Sequence, residues 1–167
     1  MSAPLVIFSH GLEGSPQGAK IIAMRAVAER HGYRTESLDY RDIPPLERTA
    51  LLLARGRELA VPPLLVGSSL GGHVSAAASV ALQARGLFLL APAFYMPGYE
   101  QYTPQPASCP ISIVHGWRDE VVPVDNSIRY ARAYHAQLQL VDADHRLLDR
   151  IPLICDYFDL FLRHLAA

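Results

Sequence analysis

The sequence predicts a three-layer α/β/α sandwich built on about six mainly parallel strands. Three observations predict it. Short apolar runs alternate with helix-like stretches along the chain. Most of these runs are continuously apolar, as strands buried on both faces are. Strand–helix alternation of this kind joins parallel strands through right-handed crossovers, which places helices on both faces of the sheet.

The first strand is "LVIFS" (residues 5–9). Ser15-Pro16 then offers an N-cap and a proline for the first helical position. Ile21, Ile22, Met24, Ala26 and Val27 give this helix an apolar stripe, and Gly32 ends it. "TESLDY" (residues 35–40) alternates weakly, which suits an edge strand. A second helix over residues 46–60 follows Pro44-Pro45. "PLLVG" (residues 63–67) leads into a third helix over residues 70–84, whose alanines allow close packing on the sheet. "LFLLA" (87–91), "ISIVHG" (111–116) and "LQLVD" (138–142) complete the strands. A fourth helix covers residues 125–135. The last covers roughly 148–165, with Ile151, Ile154, Phe158, Phe161 or Leu162, and Leu165 on one face. Residues 92–110 form the irregular stretch, five prolines among several aromatics, too long for a simple loop.

The 167 residues suffice for one domain, 1–167, with a sizeable core. Half are hydrophobic and 19% are charged, which suits a buried sheet rather than a disordered chain. A net charge of −1 supplies no basic field for nucleic acid. Lys20 is the only lysine among scattered arginines and reads as a habit of composition. Cys109 and Cys155 lie far apart without CxxC spacing, as free thiols in a reducing compartment do. The start, "MSAPLVIFSHG", has no basic region before its short apolar run and no small-residue cleavage site. The expectation is a cytoplasmic protein without signal peptide or membrane span. Nothing in the sequence specifies an oligomer.

The informative stretch is "VGSSLGGH", residues 66–73, between a buried strand and a helix. Gly67-Ser68-Ser69-Leu70-Gly71 fits G-x-S-x-G at the place where that pattern carries chemistry. A strand turning sharply into a helix strains the middle residue and crowds the residues two before and two after it. Gly67 and Gly71 relieve that crowding, and Gly72 adds room for the helix to pack. Ser69 then holds its hydroxyl above the sheet, and the N–H of Leu70 faces the same spot from a helix N-terminus. Read alone, the pentapeptide equally describes a helix start capped by Ser68 or Ser69.

A serine nucleophile needs a base, and the base an orienting acid. Both belong at the C-terminal ends of later strands. Asp119 lies just beyond "ISIVHG", with Glu120 beside it as the weaker candidate. His145 lies just beyond "LQLVD", in "ADHRL". Among the other histidines, His31, His135 and His164 sit at or near helix ends, His73 packs in the third helix, and His115 is a strand residue. Asp142 and Asp144 shape the turn that presents His145, and Arg118 is either a surface charge or a substrate contact. After the first strand, Gly11 lets the backbone approach the site. The N–H of Leu12 is the second oxyanion donor, while His10 is structural and Ser15 an N-cap.

Ser69, Asp119, His145 and the His10-Gly11 loop together resemble the α/β-hydrolase superfamily over nearly the whole chain. "SHGLEGSPQGAK", "GSSLGG" and "DADH" are similar, more narrowly, to the small YqiA-type esterases. The resemblance implies a compact α/β-hydrolase fold, here without that superfamily's first two strands and without a large lid. It implies a serine hydrolase that cleaves small to medium acyl esters or thioesters through an acyl-enzyme. Such a reaction needs no metal or organic cofactor, and no HxxH or HExxH spacing points to zinc. Phe94, Tyr95, Met96, Tyr99 and Tyr102 either line an acyl pocket or pack against one another within their own loop. A thioesterase or peptidase on the same residues, and a binding module that keeps the fold without turnover, are the competing readings. The glycines form neither GxGxxG nor GxxxxGK[ST], which disfavours a nucleotide-binding protein.

Overall fold

Six parallel strands form one sheet in the order β2-β1-β3-β4-β5-β6. They are β1 (Leu5–Ser9), β2 (Arg34–Leu38), β3 (Leu64–Ser68), β4 (Gly86–Leu90), β5 (Ile111–Gly116) and β6 (Gln137–Val141). The computed structural model describes residues 3–166; Met1, Ser2 and Ala167, which end the expected domain span, lie outside them. Five α-helices join or flank the strands: α1 (Ala19–Arg30), α2 (Pro45–Arg57), α3 (Leu70–Ser79), α4 (Val124–Tyr134) and α5 (Ile151–Ala166).

The continuous apolar runs divide their side chains between two cores, because successive strand residues point to opposite faces. On one face Val6, Phe8, Leu64, Val66, Phe88, Leu90 and Val114 pack under α1 and α5. On the other, Leu5, Ile7, Leu65, Leu87, Leu89, Ile111 and Ile113 pack under α2, α3 and α4. The four central strands, β1, β3, β4 and β5, are therefore apolar at nearly every position. β2 is the edge strand its weak alternation predicts, and β6 closes the other edge with Gln137 and Gln139 among its five residues.

Chain order reverses direction across the sheet between β1 and β3. β1 connects outward to β2, and everything after β3 proceeds the other way. The loops leaving the C-terminal ends of these two strands diverge around a crevice, the usual ligand position in open α/β sheets.

Several boundaries differ from expectation. α1 begins at Ala19 rather than at Ser15-Pro16. Ser15 closes a separate turn instead: its carbonyl accepts from Gly18 N–H at 3.2 Å and its hydroxyl from Gln17 N–H at 3.3 Å. α3 ends at Ser79, and the chain then closes in a Schellman motif. Ala84 N–H bonds to the Ser79 carbonyl, and Gln83 N–H, at φ 51°, bonds to Val80. The C-terminal helix starts only at Ile151, after a short 3₁₀ turn over Leu148–Arg150. Residues 92–110 carry one 3₁₀ turn, Glu100–Tyr102, and form no large lid. Among the described residues no helix is long and apolar enough to cross a membrane, and no cluster of His, Cys, Asp and Glu is placed to hold a metal ion.

Candidate active site

The turn from β3 into α3 is strained at one residue. Ser69 sits at φ 54° and ψ −118°, a region costly for any residue with a Cβ, about 1–3 kcal/mol. Its neighbours hold it there. Ser69 N–H donates to the Leu90 carbonyl at 2.8 Å, while its own carbonyl accepts from Gly72 and Ala93 N–H, both at 3.0 Å. The crowding that the glycines relieve is direct: a Cβ on Gly67 would collide with the backbone of Gly71, and one on Gly71 with the Ser9 carbonyl.

The turn lifts the Ser69 hydroxyl toward an imidazole from the far side of the sheet. Ser69 Oγ lies 2.9 Å from His145 Nε2, and His145 Nδ1 lies 2.7 Å from Asp119 Oδ2. A carboxylate oxygen only accepts, so Nδ1 carries the proton and Nε2 is left to accept from the serine hydroxyl. Asp119 is fixed in turn. Its Oδ1 accepts from Val121 and Val122 N–H, each at 2.8 Å, and its side chain is fully buried. Glu120, the neighbouring carboxylate, is exposed.

His115, expected only as a strand residue, supports Asp119 from below. It is fully buried, with Nε2 donating to the Val122 carbonyl at 3.0 Å and lying 3.0 Å from Asp119 Oδ2. The Ser127 hydroxyl meets its Nδ1 at 2.6 Å. Burial, more than any partner, lowers the His115 pKa, so the ring is neutral and serves as a fixed dipole. No motif announces this role, because β5 and α4 meet only in the folded chain.

The loop after β1 lies against the serine: a Cβ on Gly11 would stand 3.3 Å from Ser69 Cβ. The Gly11 carbonyl is pinned by three donors: His10 Nδ1 at 2.7 Å, Arg48 Nη1 at 3.2 Å and Gly14 N–H at 3.2 Å. In a trans peptide the carbonyl and the following N–H point in opposite directions. Pinning the Gly11 carbonyl therefore turns Leu12 N–H away from all three. His10 is itself set by Tyr40 N–H, which donates to Nε2 at 2.9 Å, and burial keeps its pKa low. The buried Arg48 spans from α2 to the Ile43 and Gly11 carbonyls and packs its guanidinium over Tyr40. Nothing in the sequence marks Arg48, since a helix arginine ordinarily faces water.

Ser69, His145, His10 and Gly11 line a cleft of about 1420 Å³ together with Leu12, Leu70, Lys20, His73 and Arg146. Leu70 opens α3, where backbone N–H groups lack intrahelical acceptors. Of the aromatic stretch, Met96, Tyr99 and Tyr102 reach the lining. Phe94 and Tyr95 do not. Phe94 is fully buried and stacks on Tyr130 with ring centres 3.8 Å apart. Tyr95 packs on the same core, with the Arg129 guanidinium over its ring. Burying a large ring removes more apolar surface from water than lining a wet cleft, and α4 supplies a matching face. Arg118 points to the surface and pairs with Asp142 at 2.6 Å.

No protein-family model matches the chain, and no curated protein sequence does. Solved structures do. Est1E from Butyrivibrio proteoclasticus superposes with a TM-score of 0.85 at 19% identity, over 98% of this chain and 88% of that one. A lidless α/β serine hydrolase from Xanthomonas campestris superposes with a TM-score of 0.82 at 16% identity, over 98% and 83%. At such identities the likeness is one of fold. A third structure carries more: a protein from Xanthomonas campestris pv. campestris described as a hydrolase of the alpha/beta superfamily, with a TM-score of 0.89 and 34% identity over 96% of this chain and 99% of that one. Sequence and fold thus agree end to end with one relative, and the chain belongs to the α/β-hydrolase superfamily.

Proposed function

We propose that the chain is a serine hydrolase cleaving acyl esters of small to medium size, with Ser69 as nucleophile, His145 as base and Asp119 as the orienting acid. One observation carries the reading: the unbroken contact path from Ser69 Oγ through His145 to a buried Asp119, at 2.9 and 2.7 Å. Ser69 Oγ bonds to the ester carbonyl carbon as its proton passes to His145 Nε2. Asp119 stabilises the imidazolium that forms. The carbonyl oxygen, now anionic, accepts from Leu12 and Leu70 N–H. The acyl carbon–oxygen bond to the alcohol then breaks, and the alcohol leaves with the proton from Nε2. Water adds to the acyl-enzyme by the same route, releasing a carboxylic acid and restoring Ser69. The chemistry calls for no metal or organic cofactor.

The short 92–110 segment and the rim of Leu12, Met96, Tyr99 and Tyr102 favour small to medium acyl groups. The reading is tested by a fluorophosphonate probe, with Ser69→Ala beside the natural protein and mass spectrometry to locate the adduct. The expected result is an adduct on Ser69, absent in the variant. Folded natural protein that takes no label would instead indicate a binding module without turnover.

A further inference from the structure

Lys20, the chain's one lysine, does not sit on the surface as a scattered cation would. It is the second residue of α1 and lines the same cleft as Ser68, Ser69, His145 and Arg146. Its ammonium donates to Ser68 Oγ at 3.3 Å and to the Arg146 carbonyl at 2.8 Å. An ammonium carries three donors and no acceptor, so one N–H remains for the cleft. Among the described residues no carboxylate lies within ion-pairing distance of it. Asp144, whose field reaches it, turns its Oδ1 to the Arg146 and Leu147 N–H groups instead. Arg146 adds a second positive charge to the lining, and among the described residues it has no acidic partner of its own. Glu13 and Glu47, the carboxylates of the lining, are exposed and unpaired with either cation.

A half-buried cation held by neutral oxygens keeps much of its desolvation cost. Burial, foremost, and then the Arg146 charge lower its pKa from 10.5 to about 8, against the pull of Asp144. An incoming anion would offset that cost. The cleft lining on the α1 face of the sheet also includes the apolar Phe8, Ile21, Met24, Val66 and Leu90. Ser68, the lysine's partner, is the residue next to Ser69, about 3.8 Å away along the chain. The cleft therefore offers a reactive hydroxyl, a positive charge a short distance from it and an apolar lining.

We propose that Lys20 selects the substrate, and that the cleft takes esters whose acyl chain ends in a carboxylate a few methylenes from the scissile carbonyl. The inference rests on the serine-hydrolase reading and names its substrate class, half-esters of short dicarboxylic acids. A carboxylate suits the site better than a phosphate, which carries more charge and asks for more donors than one free N–H.

The test uses Ser69→Ala protein, in which ligands bind without turnover whether or not Ser69 is a nucleophile. Monoethyl succinate and its uncharged counterpart ethyl butyrate are titrated at pH 7 and low salt, with binding followed by NMR. The expected result is a preference for monoethyl succinate of about tenfold, as one charge-assisted contact gives. Lys20→Met in the same background should erase it, and Lys20→Arg should keep most of it. Equal affinity for the two ligands, or a preference that survives Lys20→Met, overturns the inference. If Lys20 merely ties α1 to the loop after His145, its loss weakens both ligands alike and leaves their ratio unchanged, which also overturns it. Should Lys20→Met not fold, raising the pH of the Ser69→Ala protein through 8 discharges the ammonium and should erase the preference without a substitution. Failure of the hydrolase reading shows separately, as an unlabelled Ser69 with the fluorophosphonate probe.

Discussion

The β3–α3 turn and the 92–110 segment leave the same end of the sheet, from neighbouring strands, and they use their side chains in opposite ways. The turn holds a polar hydroxyl out over the sheet at the expense of backbone strain, with Ser69 at φ 54°. The segment sends Phe94 inward to stack on Tyr130 and leaves Tyr99 and Tyr102 exposed. Backbone crowding decides the first: Gly67 and Gly71 let the chain pass where no Cβ fits, and Ser69 has no other way to face. Apolar burial decides the second, because an irregular segment without a fixed strand or helix period lets each ring turn to a core that is in reach. Rigid backbone thus places the groups read as reactive, and the loop around them is free to be structural.

If that contrast is right, the largest effect comes from the turn and is purely functional. Ser69→Ala or His145→Ala should lower ester hydrolysis by about 10⁴- to 10⁶-fold, with thermal unfolding nearly unchanged, since alanine at position 69 keeps the Cβ and with it the backbone strain. A residual rate within tenfold of the natural protein would break the comparison at its first term. The segment should respond the other way round. Phe94→Ala should cost about 3–5 kcal/mol of stability, read from urea denaturation, whereas Met96→Ala should leave stability nearly unchanged and alter KM a few-fold. If Phe94→Ala changed KM and not stability, the ring would belong to the cleft after all.

An intermediate effect is expected at Arg48, which belongs to neither region but braces the loop facing the turn. Arg48→Met leaves the Gly11 and Ile43 carbonyls short of a donor, about 1–3 kcal/mol for a buried group. Part of the loss should appear in kcat, because the Gly11–Leu12 peptide is no longer held. A loss confined to stability would mean that His10 and Gly14 suffice. The smallest effect is a pH dependence. Lys20 titrates near 8 when folded and at 10.5 when unexposed to burial. Between these values the unfolded chain binds more protons, so this group makes stability rise with pH across that window. Lys20→Met should flatten that rise, measured as the difference in unfolding free energy between pH 7.5 and pH 10.

The strands were legible because four of them are apolar on both faces, a pattern that helices of this chain do not imitate. The meeting of Ser69 with Asp119 and His145 was legible because each follows the C-terminal end of a strand, and parallel strands bring those ends together. The start of α1 was misplaced because Ser15-Pro16 suits a turn as well as a cap, and only the bond from Gly18 to Ser15 distinguishes them. The roles of Lys20, Arg48 and His115 are not legible in the sequence for a shared reason. Each acts through a contact with an element distant in sequence, Lys20 with Ser68 and Arg146, Arg48 with Gly11, and His115 with Ser127.

By itself the sequence determined the alternation of strands and helices, the superfamily resemblance and the stations of three polar residues. Those follow from local spacing, from steric rules at glycine and from the direction of parallel strands. Only the tertiary structure decided which aromatic rings are core, which cation faces the cleft and which buried groups hold the loop after β1. Those depend on which surfaces meet once two layers of helices close on the sheet, and the competition between burial and solvation is settled only there.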